Sequence, residues 1–210
     1  MTNIAILGSG HVARALAHPL AARGHALTVG SRAPTGVTWP GDDVAVATIE
    51  SAVEWAEIII NALPGAVSVQ TLTHLRAALT GKILLDIANA VQTGADGFAT
   101  TLLYPDSSVA EQIQAALPAT SVVKSLNTMH DSLMANPTRL SNPLTVFVAG
   151  NDIAAKEPIN RLLHDLGWPP EWIIDLGDLT ASRWLEAFVL TVRPLIHTLG
   201  PVPFGLAIAH

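Results

Sequence analysis

Apolar residues recur along this chain in short runs, such as Ile4-Ala5-Ile6-Leu7, Leu27-Thr28-Val29, Ile58-Ile59-Ile60 and Ile83-Leu84-Leu85. Between them lie longer Ala-rich stretches in which apolar positions fall three and four residues apart. Short apolar runs bounded by turn residues read as buried strands, and the three-to-four spacing reads as helix. On this pattern strands are expected over 3–7, 26–30, 44–47, 58–61, 83–86, 121–125 and 145–149, and helices over 12–23, 67–79, 108–116 and 153–166. Such alternation predicts an α/β fold: a doubly wound parallel sheet with helices on both faces. Pro19 stands well inside the first helix, where a missing N–H should bend or shorten it. After Trp168-Pro169-Pro170 the pattern changes to one short strand, 172–175, and a long amphipathic stretch, 179–199, that Pro194 should kink or end.

The first strand leads into Gly8-Ser9-Gly10-His11-Val12-Ala13, a G-x-G-x-x-A pattern opening a helix. In that setting Gly8 permits the tight turn, Gly10 lets a pyrophosphate approach the backbone, and Ala13 lets the helix pack closely on the strand. The phosphates of a dinucleotide then meet free N–H groups at the positive helix end. About twenty residues on, a chain selecting NAD would carry Asp or Glu at the end of the second strand. Here the stretch is Val29-Gly30-Ser31-Arg32. No carboxylate is present to repel a 2′-phosphate, while Ser31 and Arg32 offer donors suited to an anion. The reading is a Rossmann-type NADP(H) domain over 1–170, with a small, mainly helical C-terminal unit over 171–210 packing on it.

Ligands of an open parallel sheet collect beyond the carboxyl ends of its strands. Ala62, Leu63 and Pro64, then Ala88 and Asn89, then Asn127 follow predicted strands and complete the candidate cofactor residues with Gly8, Ser9, Gly10, His11, Val12, Ser31 and Arg32. Leu63 and Pro64 would form an apolar wall. Asn89 and Asn127 could meet a carboxamide or a ribose hydroxyl, or serve as turn residues.

Half of the 210 residues are hydrophobic, 13% are charged, and mean hydropathy is +0.41, which favours a well-buried sheet and a subunit contact. The apolar 195–208 tail suggests a homodimer. A net charge of −6 with 11 Lys and Arg argues against a nucleic-acid partner. Cysteine is absent, which excludes thiolate chemistry and fits a cytoplasmic location, and no segment reads as a signal peptide or a membrane span. Among the eight histidines, His11, His18 and His25 recur every seven residues, about 10 Å along a helix, so they cannot share a metal ion, and no metal site is expected. His130 beside Asp131 reads either as an acid near a substrate or as part of a solvated loop. Lys124 reads either as a proton donor or as a salt-bridged strand residue. No catalytic side chain is assigned.

Taken together, the Gly8 to Ala13 turn, Val29-Gly30-Ser31-Arg32, Ala62-Leu63-Pro64, Val123-Lys124-Ser125-Leu126-Asn127-Thr128 and Gly150-Asn151-Asp152 resemble, in order, the coenzyme F420-dependent NADP oxidoreductase family. Leu166-Gly167, Asp175-Leu176-Gly177, Arg183-Trp184-Leu185-Glu186 and Phe204-Gly205 extend the resemblance over nearly the whole chain. It implies NADP held across the sheet and a deazaflavin, coenzyme F420, received against the nicotinamide, with the stretch near Phe204 helping to shape that pocket. The chain departs from the family where Ala33-Pro34 follows Arg32, where Asn127 stands for a histidine of some members, and where Ala90 replaces a common proline. The expected activity is hydride transfer between NADP(H) and a small-molecule electron acceptor or donor: a deazaflavin, a flavin or another. Two rivals stand beside it: NADPH-dependent reduction of a small imine or carbonyl compound, and a non-catalytic NADP(H) redox sensor.

Overall fold

A computed structural model describes residues 1–41 and 43–209. Its strands are β1 (Asn3–Leu7), β2 (Ala26–Ser31), β3 (Val44–Thr48), β4 (Ile58–Asn61), β5 (Ile83–Asp86), β6 (Val91–Thr93), β7 (Ala99–Leu102), β8 (Ser121–Lys124), β9 (Val146–Gly150) and β10 (Ile173–Asp175). Eight of them form one sheet in the order β10-β9-β8-β5-β4-β1-β2-β3, and β6 and β7 form a separate antiparallel pair. From β3 to β8 the sheet is parallel in the 3-2-1-4-5-6 order of the Rossmann fold. β9 runs antiparallel to β8, since the chain between them returns without a long crossover helix. The crossover through the next helix then sets β10 parallel to β9.

The helices are α1 (His11–Ala22), α2 (Ile49–Trp55), α3 (Gly65–His74), α4 (Arg76–Leu79), α5 (Val109–Ala116), α6 (Asp131–Met134), α7 (Ile153–Asp165), α8 (Ser182–Ala187) and α9 (Val192–Leu199). Successive strand residues point to opposite faces, so one β1 strand serves two cores. Ile4 and Ile6 pack with Leu16 and Leu20 of α1 and Ile159 and Leu163 of α7. Ala5 and Leu7 pack with Val53 of α2, Leu72 of α3 and Ile113 of α5.

Several expectations are revised. α1 continues through Pro19 to Ala22. The helix expected over 67–79 begins at Gly65 and breaks at Leu75, whose N–H bonds to Leu72 O, three residues back. Pro194 lies in the first turn of α9, where its missing N–H costs little; the irregularity comes just before it, as the 3-10 turn Phe188–Thr191. The 179–199 stretch is therefore a chain of short helical pieces. β10, beyond residue 170, is the edge of the large sheet, so hydrogen bonds cross the expected domain boundary. The pattern gave no warning of α2, although Thr48 caps it by accepting from Ser51 N, nor of the β6–β7 hairpin, although Asp96-Gly97 marks its turn.

Among the described residues no helix is long and apolar enough to cross a membrane. None of the α9 side chains is buried, and Leu199, Val202 and Ile208 are exposed. The tail returns to the sheet's end: His130 N donates to Phe204 O at 3.0 Å and Thr145 N to Leu206 O at 2.9 Å.

Candidate active site

A cleft of about 800 Å³ opens at the carboxyl ends of β1, β2, β4, β5 and β8, where a Rossmann sheet reverses its strand order. Every candidate cofactor residue lines it except His11, and the structure adds Gly30, Ala33, Gly65, Gln70, Thr71, Ile87, Met129 and Asp131 among others. His11 is exposed at the start of α1, beside Asp131 and Ser132 in an adjoining hollow. Being the first helical residue, it contributes its backbone to the turn while its side chain leaves the cleft.

The turn is glycine-dependent for two separate reasons. Gly8 has φ +111°, and a Cβ there would come 2.7 Å from Ala62 O, so the β1 and β4 loops interlock only around glycine. At Gly10 a Cβ would meet no atom within 4 Å, which leaves open space for a ligand over the start of α1. No side chain caps that helix and no acidic residue occupies its first turn, so its leading N–H groups remain available to an anion. Across the cleft, Gly65 opens α3 with its backbone tight against Asn89.

At the end of β2, a side chain on Gly30 would press on Leu7 and the Ile49 backbone at 3.0–3.2 Å. Glycine here thus lets α2 pack close against β2, a constraint invisible in sequence, besides leaving out a carboxylate. Ser31 Oγ accepts from Ala33 N at 3.2 Å, which directs the chain outward, and Arg32 is exposed on the rim.

The other end of the cleft is built from long-range contacts. Asn89 Nδ2 donates to Asn127 O at 3.2 Å, and Asn127 Nδ2 donates to Asn89 Oδ1 at 3.0 Å. This exchange ties the β5 and β8 loops together. Leu126, just before Asn127, has φ +61°, a conformation costing about 1–3 kcal/mol that persists only where its surroundings enforce it. Phe204 does not line the cleft; its backbone instead supports the Met129 to Asp131 segment from behind.

Below this wall lies a buried polar network. Asn61 Nδ2 donates to Asp86 Oδ1 at 2.7 Å. Lys124 Nζ donates to Asp86 Oδ2 at 2.7 Å, to Glu186 Oε1 at 2.9 Å and to the Ala88 carbonyl. Glu186, on α8, also accepts from Val109 N at 3.0 Å, capping α5. Burial by itself would lower the Lys124 pKa, but the Asp86 and Glu186 carboxylates outweigh it and hold the ammonium above its ordinary value. Burial pushes the Glu186 carboxyl up, against the pull of Lys124. A fully buried amine that is paired with two carboxylates and does not line the cleft is not placed to give a proton to a ligand, so the structure resolves Lys124 in favour of the salt-bridged alternative. His130 is exposed and caps α6, accepting from Ser132 N at 3.3 Å. It also lies off the cleft lining. Among the described residues no cluster of three or more His, Asp or Glu is arranged to hold a metal ion.

These features match known proteins. The model of the family described as NADP oxidoreductase coenzyme F420-dependent matches residues 3–90, from β1 through the loop after β5. The F420-dependent NADP reductase of Methanocaldococcus jannaschii is 30% identical over 150 residues, covering 70% of this chain and 63% of its own. Metalloreductase STEAP3 of Rattus norvegicus is 31% identical over 193 residues, 91% of this chain and 37% of its own length. The chain thus spans less than two thirds of either curated relative. A crystal structure from Arthrobacter sp. FB24, titled as a candidate F420-dependent NADP-reductase, superposes with a TM-score of 0.91 at 38% identity over the full length of both chains. With that end-to-end likeness, and the glycine turn placed as a dinucleotide site requires, the chain belongs to the coenzyme F420-dependent NADP oxidoreductase family.

Proposed function

We propose that this chain binds NADP(H) in the cleft and exchanges hydride with a small organic partner of the deazaflavin type. One observation carries the reading: the uncapped start of α1, opened by Gly10, shares the cleft with the end of β2, where Ser31 and Arg32 stand in place of an acidic residue. The residues suit the cofactor's parts. Gly8, Ser9, Gly10 and the backbone of His11 and Val12 would receive the pyrophosphate, and Ser31 and Arg32 the 2′-phosphate. Ala62, Leu63, Pro64, Ala88, Asn89 and Asn127 would enclose the nicotinamide end. Bound there, NADPH supplies the hydride from its nicotinamide ring. The protein's work is to align two rings and exclude water, which needs no acid–base pair. An imine or carbonyl reductase does need a proton donor; neither Lys124 nor His130 lines the cleft, and Asp131, which does, is paired with His130 at 2.9 Å.

The test is titration with NADPH and NADH, followed by anaerobic mixing of the NADPH complex with oxidised coenzyme F420, FMN or FAD. Bleaching specific to the deazaflavin supports the reading. Tight NADPH binding with no turnover against any acceptor overturns the catalytic part in favour of the sensor. The expected homodimer would draw on exposed Leu199, Val202 and Ile208, and a monomeric mass by light scattering at micromolar concentration overturns it.

A further inference from the structure

Asp86, Lys124 and Glu186 bring three ionisable groups beneath the cleft, and none of them lines it. Stability alone does not call for such a group, because apolar side chains of similar volume often fill a core equally well. Lysine differs from an apolar side chain in directing hydrogen bonds. Lys124 Nζ holds the Ala88 carbonyl, the midpoint of the Ile87-Ala88-Asn89 wall. It also holds Asp86, whose Oδ1 accepts from Ala88 N at 3.3 Å and whose backbone carbonyl accepts from Ser125 N at 3.2 Å. Through Asp86 and Ala88 the same ammonium reaches both loops joined by the Asn89–Asn127 exchange. Its third partner, Glu186, belongs to α8, 62 residues away.

We infer that Lys124 is a positioning residue: it sets the Ile87-Ala88-Asn89 wall against the nicotinamide end of the nucleotide, and Glu186 makes that setting depend on the docking of α8. This rests on the NADP(H) reading above and adds to it a division of the cleft. The phosphate end is independent of the buried ions, whereas the nicotinamide end depends on them.

Two probes separate the ends: NADPH, and 2′,5′-ADP, which carries the 2′-phosphate and no nicotinamide. In titrations of folded Lys124→Met, the Kd for NADPH should rise about tenfold or more, the size of a lost charged hydrogen bond, while that for 2′,5′-ADP changes by less than about twofold. Lys124→Arg, which keeps the charge, should recover part of the loss. If Lys124→Met does not fold, Glu186→Gln carries the same comparison, because its one carboxamide oxygen can still accept from Lys124 while the charge, and the second acceptor that faces Val109 N, are gone. Equal losses for both probes, or no loss for either, overturn the inference and leave Lys124 a purely structural residue. A wild-type chain that binds neither probe overturns the NADP(H) reading itself, and this inference with it.

Discussion

At the proposed phosphate end of the cleft, Gly8, Ser9, Gly10, Val12, Ser31 and Arg32 come from the first 32 residues, and their contribution is mostly backbone geometry plus one exposed guanidinium. At the opposite end, Ala88, Asn89 and Asn127 are placed by contacts that join residues 36 to 77 positions apart and pass through fully buried charges. The first end is set mostly by neighbours in sequence, at the glycine turn between β1 and α1 and at the end of the adjacent β2. The second exists only once β5, β8 and α8 have come together. The phosphate end should therefore respond to substitution through ligand affinity, and the other end through stability and affinity at once.

Breaking the buried end should have the largest effect. Lys124→Met leaves Asp86 and Glu186 without their cation, at a cost of about 3–5 kcal/mol, or a drop in thermal midpoint of roughly 6–20 °C followed by circular dichroism. A shift below a few degrees would show that the network matters less than its burial implies. Next comes Gly8→Ala, whose Cβ meets Ala62 O at a φ that costs a side chain about 1–3 kcal/mol. It should lower the midpoint moderately and displace the turn, so that binding of both NADPH and NADH is lost together.

Arg32→Ala sharpens the contrast, because an exposed residue should leave the midpoint unchanged. NADPH affinity should fall about 10- to 100-fold and NADH affinity much less, read by titration. Equal losses for the two nucleotides would remove Arg32 from the 2′-phosphate.

The smallest effect concerns how α8 is held. Arg183 donates to Glu111 at 2.7–3.2 Å and keeps that carboxyl below its ordinary value of 4.5. A lowered carboxylate pKa contributes stability that is complete above the unfolded value and is lost as pH falls through the folded one. Glu111→Gln should therefore lower stability slightly at pH 7 and flatten its decline below pH 4.5, so that variant and wild type converge in acid, measured by urea unfolding at both ends of that range. An unchanged acid limb would remove the pair from the account. Glu186, which reaches from α8 to cap the same turn of α5, has the opposite sign: its raised pKa makes its contribution decline as pH rises above 4.5.

Legibility followed the range of the interactions. The strands of the Rossmann half were visible as apolar runs, and all but one of the candidate cofactor residues line the cleft, because glycine, strand end and helix start are neighbours in sequence. The exception, His11, shows the limit: a motif position fixes where a backbone goes, and the side chain follows the helix surface. α2 and the β6–β7 hairpin were missed although Thr48 and Asp96-Gly97 signalled them, since elements this short carry little periodicity. Lys124 illustrates a different difficulty. Proton donor and salt-bridged strand residue were equally open in the sequence, and the choice depended on Glu186, which no local pattern connects to it.

By itself the sequence determined the α/β class, the parallel Rossmann half, the glycine turn after β1 and the missing carboxylate after β2, because each follows from propensity, periodicity or the chemistry of adjacent residues. Only the tertiary structure decided the antiparallel turn of β9, the close packing of α2 over Gly30 and the ionic support of the cleft wall. Each of these is set by which segments meet, and burial gives a charge its weight only after the partners have been brought out of water together.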